Sequence, residues 1–261
     1  MSKTQKELAF LRDLYVAEDW TERFTDIFDA NFKFSGEKSI LYVNAGTGNH
    51  ALAISEKLEQ DSNLNAFNED EELNIIAQAK SNAIKSDVFF ASVFPDESFD
   101  VVLADASFFK PKDLHSFIAE IIDLSNNQVA FFLPTAGSFG DIFSFLWETF
   151  LELDLVDKEI EIERLVDEIP TVSEVEYIAK KLGLKKIETV TKTEHFDFEN
   201  GAEFVNSPLV ADFLLPVWLD FLDAEEQKRV SEKLAQIVDD DISTLSFRFS
   251  IKATLIVGEK S

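Results

Sequence analysis

The segment with the clearest capacity for chemistry is Val43-Asn44-Ala45-Gly46-Thr47-Gly48-Asn49-His50, where Gly46 and Gly48 follow directly on an apolar run. Glycines between a strand and a helix let the backbone approach a ligand closely and leave helix N-terminal amides facing a cleft. The same residues also serve a tight strand-to-helix connection on purely steric grounds. The turn by itself therefore leaves ligand binding and packing both open. Asp105 ends a second apolar run, 99–104, where a carboxylate can accept a proton or a hydrogen bond from a substrate, or simply cap the next turn of the chain. The three histidines, His50, His115 and His195, lack the paired spacing of metal ligands, and no metal site is expected. His50 falls in the first turn after the glycines and His115 on the polar side of a helix, while His195 lies in an alternating stretch. Ser138 has no nucleophile-elbow context, so a hydrolase is not indicated.

These residues need elements to hold them. Residues 1–35 read as helical, with Leu8, Leu11, Leu14 and Tyr15 and then Trp20, Phe24, Ile27 and Phe28 at helical spacing. From residue 39 short apolar runs alternate with helical stretches. Strands are expected at 39–43, 63–67, 87–91, 99–104 and 128–133, and helices at 49–59, 71–81 and 112–124. Strands alternating with helices imply parallel pairing through crossovers, and wholly apolar strands imply a sheet covered on both faces. Further helices are expected at 139–151 and from the capping-box sequence Thr171-Val172-Ser173-Glu174 to Leu182. Strands follow at 185–198 and 246–257, the last antiparallel, with a helical insertion between them at 201–240.

With 261 residues, 46% of them hydrophobic, the chain suits one α/β domain with a substantial insertion. Absence of cysteine removes disulfides, thiolate ligands and cysteine nucleophiles. The polar N-terminus and the lack of a long apolar run predict a cytoplasmic protein without a membrane partner. A formal charge of −26 repels nucleic acid, favours a cationic small molecule or a basic protein partner, and also serves solubility. Phenylalanine is abundant, at 26 residues; Phe108-Phe109 and Phe131-Phe132 are candidates for core or for pocket walls.

Residues 36–135 resemble the class I S-adenosylmethionine-dependent methyltransferases, particularly the small-molecule type. Ile40-Leu41-Tyr42-Val43-Asn44-Ala45-Gly46-Thr47-Gly48 stands against that family's V-L-D-V-G-C-G-T-G. Residues 66–77 are similar to its second strand and following helix, and Phe94-Pro95-Asp96-Glu97-Ser98-Phe99-Asp100-Val101-Val102-Leu103 nearly repeats its approach to strand four. The resemblance implies a Rossmann-like sheet of seven strands, mostly parallel with an antiparallel last strand, with helices on both faces and a helical lid at 201–240. The core would comprise 36–200 and 241–261, behind an N-terminal helical segment at 1–35.

The implied cofactor is S-adenosylmethionine. Asn44, Ala45, Gly46 and Gly48 would lie under its methionine part, Asn68 at the ribose, Ser92 and Val93 at the adenine, and Ala104 and Asp105 facing the methyl group and substrate. Asp105 is the candidate catalytic residue. An aromatic lid bearing Phe204, Phe213, Trp218 and Phe221 would suit a small apolar or acyl-type substrate. Tyr42 stands where the family has an acid within strand one, Asn44 replaces its first glycine, and Asn68 replaces its ribose-binding carboxylate. The competing reading is a catalytically inactive protein of this fold serving as a binding or assembly partner. A nicotinamide-dependent oxidoreductase is disfavoured, because its six-residue glycine spacing is absent after strand one.

Overall fold

The computed structural model of the chain describes residues 3–155, 158–241 and 246–260. An N-terminal helical segment comprises α1 (Gln5–Leu11), a π-helical stretch (Arg12–Thr21) and α2 (Glu22–Asn31). It opens on a reciprocal cap: the Thr4 hydroxyl accepts from Glu7 N–H at 3.2 Å, and the Glu7 carboxylate accepts from Thr4 N–H at 2.8 Å. Of the two apolar series read from the spacing, Trp20, Phe24, Ile27 and Phe28 are enclosed, whereas Leu14 and Tyr15 of the first are exposed.

The strands are β1 (Ser39–Val43), β2 (Asn63–Phe67), β3 (Phe89–Ala91), β4 (Phe99–Asp105), β5 (Ser125–Thr135), β6 (Leu184–Phe198) and β7 (Phe247–Lys260). They form one seven-stranded mixed sheet in the order β3-β2-β1-β4-β5-β7-β6, six parallel and the last antiparallel. This is the Rossmann-like architecture expected. β3 starts two residues later than its apolar run suggests. The Ser81 hydroxyl donates to Ser86 O at 3.0 Å and Val88 O at 3.2 Å, so a side chain rather than the ladder holds the approach. The β3–β4 connection contains no helix, and Phe94 within it packs on Phe67 with ring centroids 3.9 Å apart.

Alternation along β1 assigns the two faces. Leu41 and Val43 join a core with Phe117 and Ile121 of α5 (Leu114–Asp123) and Val175 and Ala179 of α8 (Val172–Lys181). Tyr42 points the other way, where its hydroxyl meets His50 of α3 (Asn49–Ser55). The remaining helix near the ligand edge is α4 (Glu71–Ile84), capped by the Asp70 carboxylate, which accepts from Glu72 N–H at 2.9 Å.

The chain divides into two compact units, one of Met1–Leu133, Val172–Lys192 and Ala253–Ser261, the other of Pro134–Thr171 and Thr193–Lys252. The second contains the whole 201–240 segment. Its helices are α6 (Gly140–Glu152), α7 (Glu159–Glu168), α9 (Gly201–Asn206), α10 (Leu215–Trp218) and α11 (Ala224–Asp241). Phe204 and Trp218 are buried in this unit, and Trp218 meets Phe139 and Phe143 edge-on at 5.0 and 5.2 Å. No described helix is long and apolar enough to cross a membrane.

Candidate functional site

Strand register collects the predicted site residues on one edge of the sheet. Val43 pairs with Phe67 on one side and Ala104 on the other, and Phe67 pairs with Ala91. The next residues, Asn44, Asn68, Asp105 and Ser92, therefore stand side by side at its carboxyl edge, Asp105 as the last residue of β4. The chain runs outward from β1 to β2 and, on the other side, to β4, so the crevice opens where strand order reverses.

Each member is then fixed by a specific bond. Asn44 adopts a left-handed conformation (φ 58°), which asparagine tolerates, and its amide donates to Asp105 O at 2.9 Å, tying the ends of β1 and β4. Gly46 and Gly48 are left-handed too, at φ 58° and 85°. A Cβ on Gly48 would lie 2.8 Å from Phe90 and 2.9 Å from Ala77, so this glycine serves the packing of α3 against α4 and β3. Asn68 is buried. Its Oδ1 accepts from Gly46 N–H at 2.7 Å, while its Nδ2 donates to Gly46 O at 3.0 Å and to Asn74 Oδ1 at 2.7 Å. Asn74 returns a bond to Asn68 O at 3.0 Å. Ala45 and Ala104 are enclosed in the sheet edge.

Asp105 is buried, and its carboxylate accepts from Ser107 N–H at 2.7 Å. Burial pushes its pKa above the ordinary carboxylate value, against the opposing charge of Arg12 and the bonds from Ser107. The Ser107 hydroxyl in turn accepts from Trp20 Nε1 at 2.9 Å, fastening the N-terminal segment to the end of β4. A second chain of contacts runs beneath the glycine turn. His50 Nδ1 lies 3.0 Å from the Tyr42 hydroxyl and Nε2 lies 3.2 Å from Asp29, which also accepts from Lys57 at 2.7 Å. The bond from His50, reinforced by Lys57, holds Asp29 far below the usual carboxylate range. Burial raises the Tyr42 phenol well above its ordinary value, and the charges of Asp105 and Asp29 add to this.

Arg12 belongs to this site although sequence reasoning passed it over. Its guanidinium carbon stands 5.0 Å over the Phe108 ring, and Phe108 packs on Trp20 at 5.1 Å. Burial lowers its pKa, while the charges of Asp105 and Asp70 raise it. Arg12 and Gly46 line a cavity of about 300 Å³ whose other walls include Thr47, His50, Asp26 and Asp29. The one signal available was compositional: within 8–32 the only basic residues are Arg12 and Arg23. Nearby, Lys80 pairs with Asp13 and donates to Asn49 Oδ1 at 2.5 Å, joining the π-helical stretch, α4 and the start of α3.

Ser92 and Val93 line a second cavity, about 720 Å³, with Phe67, Phe90, Ala91 and Ile75. Of the aromatic pairs, Phe131 and Phe132 are core, Phe109 stacks on Phe117 at 4.3 Å, and only Phe108 reaches the site. His115 and His195 are exposed, and Ser138 binds Thr135 O and Lys252 N–H, a structural role. Among the described residues no group of acidic or histidine side chains could hold a metal.

No family model and no curated protein matches the chain. Solved structures do. YcgJ from Bacillus subtilis aligns with a TM-score of 0.57 at 16% identity, over 92% of this chain and 98% of that one. The geranyl diphosphate C-methyltransferase of Streptomyces coelicolor aligns with a TM-score of 0.51 at 9% identity, over 92% and 79%. The [4+2]-cyclase SpnF aligns with a TM-score of 0.52 at 14% identity, over 92% and 80%. The chain therefore has the class I methyltransferase fold. That fold also carries a cyclase, so the activity has to be argued from the site.

Proposed function

We propose that this chain is an S-adenosylmethionine-dependent methyltransferase acting on a small molecule. One observation carries the reading: Ser92 and Val93, the pair assigned to adenine by resemblance, line an apolar cavity of about 720 Å³ walled by Phe67, Phe90 and Ala91. Cavities of this size with aromatic walls and few polar groups are the usual setting for a small organic ligand.

The residues present fit the cofactor. Gly46 and Arg12, both on the smaller cavity, would receive the amino-acid part. Ser92, Val93 and Phe67 would hold the base. The amide of Asn68 is engaged with Gly46 and Asn74, so the ribose hydroxyls fall to the carboxylates that come next in the chain, exposed Glu69 and half-buried Asp70. Bound there, S-adenosylmethionine supplies an electrophilic methyl group for an oxygen, nitrogen or carbon nucleophile. The chain's own contribution is positioning and exclusion of water. Asp105, whose pKa burial raises, is the candidate proton acceptor at the end of β4. The aromatic series of 201–240 gives no support to an apolar or acyl-type acceptor, since Phe204 and Trp218 are buried in the core of their own unit.

A second reading, a non-catalytic protein of the same fold with a basic protein partner suited to the −26 charge, is favoured by the internal engagement of Asn68. Calorimetric titration with S-adenosylmethionine and S-adenosylhomocysteine separates the two. Micromolar binding is expected, and no heat at millimolar ligand would sink the enzyme.

A further inference from the structure

We infer that the groove between α8 and the start of β6 is a docking surface for an acidic, extended peptide segment of a partner protein. One face of α8, bearing Ser173, Glu176, Tyr177 and Lys180, stands with residues 184–187 of β6 around a cavity of about 650 Å³. β6 ends the strand order, so among the described residues it has a strand on one side only. Lys186 within it adopts a left-handed conformation (φ 46°), and its ammonium meets Glu259 of β7 at 2.8 Å. A left-handed residue interrupts a regular ladder, so this part of the edge offers side chains rather than a straight row of backbone groups. The groove lies in the first unit but away from the candidate site. Parallel β6 begins here, at the edge of the sheet opposite to the one where Asn44 and Asp105 stand.

The charge of the groove is the reverse of the chain's. Lys180, Lys181, Lys185 and Lys186 fall within seven residues, and no acid occurs from 177 to 187, in a chain with 50 acids against 24 Lys and Arg. Elsewhere such ammonium groups find acids: Lys57 and Lys158 meet Asp29 and Glu226 at 2.7 and 2.6 Å. Of the four here, only Lys186 meets a carboxylate. Lys180 and Lys185 are exposed and have no partner among the described residues, while Lys181 lies 5.4 Å over the Tyr177 ring. The C-terminus of α8 accounts for one lysine at most, since a helix end carries about half a negative charge. Glu176, the one acid on the groove wall, already accepts from the Thr189 hydroxyl at 2.6 Å. At physiological ionic strength fields are screened over about 8 Å, so a segment lying in the groove meets these lysines rather than the −26 of the whole chain. Tyr177, 62% exposed, gives that segment an apolar surface to lie against. From Ser173 to Lys180 the helix runs about 10 Å, the length of about three extended residues. A stretch of chain fills such a groove, where a compact ion would meet only one end of it.

Fluorescence anisotropy of the full chain with a fluorescein-labelled hexaglutamate peptide tests the surface, with hexaglutamine as the uncharged counterpart. Hexaglutamate should bind at physiological salt and weaken as salt rises, and hexaglutamine should not bind. Lys180→Met and Lys185→Met should each weaken binding about threefold, and Lys180→Glu combined with Lys185→Glu should abolish it. Lys6→Glu combined with Lys228→Glu makes the same change in net charge on other surfaces and should leave affinity within about twofold. All four lysines are exposed, so thermal melting should show every variant folded like the parent. Equal losses in the two charge-matched pairs would reduce the effect to net charge, and an absence of binding at millimolar hexaglutamate would remove it; either result overturns the assignment. Tripolyphosphate is the control for a compact anion. Weaker binding than hexaglutamate is expected of it, and tighter binding would make the groove a phosphate site and overturn the peptide.

Discussion

Asn68 clasps the peptide of Gly46 from both ends, accepting from its N–H at 2.7 Å and donating to its carbonyl at 3.0 Å. The turn that the resemblance assigns to cofactor is thus held by the residue assigned to ribose. Restoring the family's carboxylate at this position should therefore damage the fold. In Asn68→Asp, the buried side chain would face Gly46 O and Asn74 Oδ1 as a charged acceptor with no hydrogen to offer. A loss of about 3 kcal/mol is expected from stranding these groups, with no gain in affinity for S-adenosylhomocysteine. Urea unfolding of the variant checks the first expectation and calorimetry the second. Parent-like stability would mean that the amide network does not set the turn.

The two glycines of the turn have different jobs, and alanine separates them. At Gly48 the added Cβ meets Phe90 at 2.8 Å and Ala77 at 2.9 Å in a left-handed backbone, which combines overpacking with conformational strain. About 3 kcal/mol of destabilisation is expected. At Gly46 only the left-handed backbone is strained, since the nearest atom is 3.9 Å away, and about 1 kcal/mol is expected. Gly46→Ala should instead weaken ligand binding, because its Cβ enters the shared cavity. Thermal melts of both variants give the contrast; equal shifts would contradict it.

The division between packing and binding was not legible in the glycine spacing, because both uses call for the same residue. What the sequence carried well was periodicity. The apolar runs at 39–43 and 63–67 are strands to the residue, and the alternation at 185–198 is β6, because hydrophobic period derives directly from strand geometry. Asn44, Asn68, Ser92 and Asp105 were legible as neighbours because parallel register aligns strand ends. Arg12, Asn74 and Asp29 were not. Each reaches the site from another element by side-chain packing, and local spacing does not encode which long-range surface meets which. Tyr42 read as a missing acid, whereas its hydroxyl has a partner of its own in His50.

The Asp29 contacts give the protein a defined acid response. Asp29 accepts from His50 at 3.2 Å and from Lys57 at 2.7 Å, and its pKa is held far below the ordinary value. A depressed folded value means that the unfolded chain takes up the proton first. The contribution is complete above the unfolded pKa of about 4 and is lost as pH falls below it toward the folded value. Asp29→Asn should therefore be less stable than the parent near neutrality, with the gap closing below about pH 4. Urea unfolding across that range reads the gap directly, and a constant difference at every pH would show that the carboxylate charge has no part in it.

Trp20 offers the sharpest test of whether the N-terminal segment is structural to the site. The ring is fully buried, packs on Phe24 at 5.3 Å and Phe108 at 5.1 Å, and its Nε1 bonds the hydroxyl of Ser107, whose own N–H holds Asp105. Trp20→Phe keeps most of the apolar burial and removes one donor, for about 1 kcal/mol. Trp20→Ala opens a cavity and should lose about 3–5 kcal/mol. Hydrogen exchange then distinguishes local from global effects. In Trp20→Ala the amides of the π-helical stretch and α2 should exchange well before those of β1 and β4, because the ring links this segment to the sheet edge through Ser107. Uniform acceleration across the first unit would instead make the segment part of a single cooperative core, and the cleft over Gly46 would then open only when the whole unit unfolds.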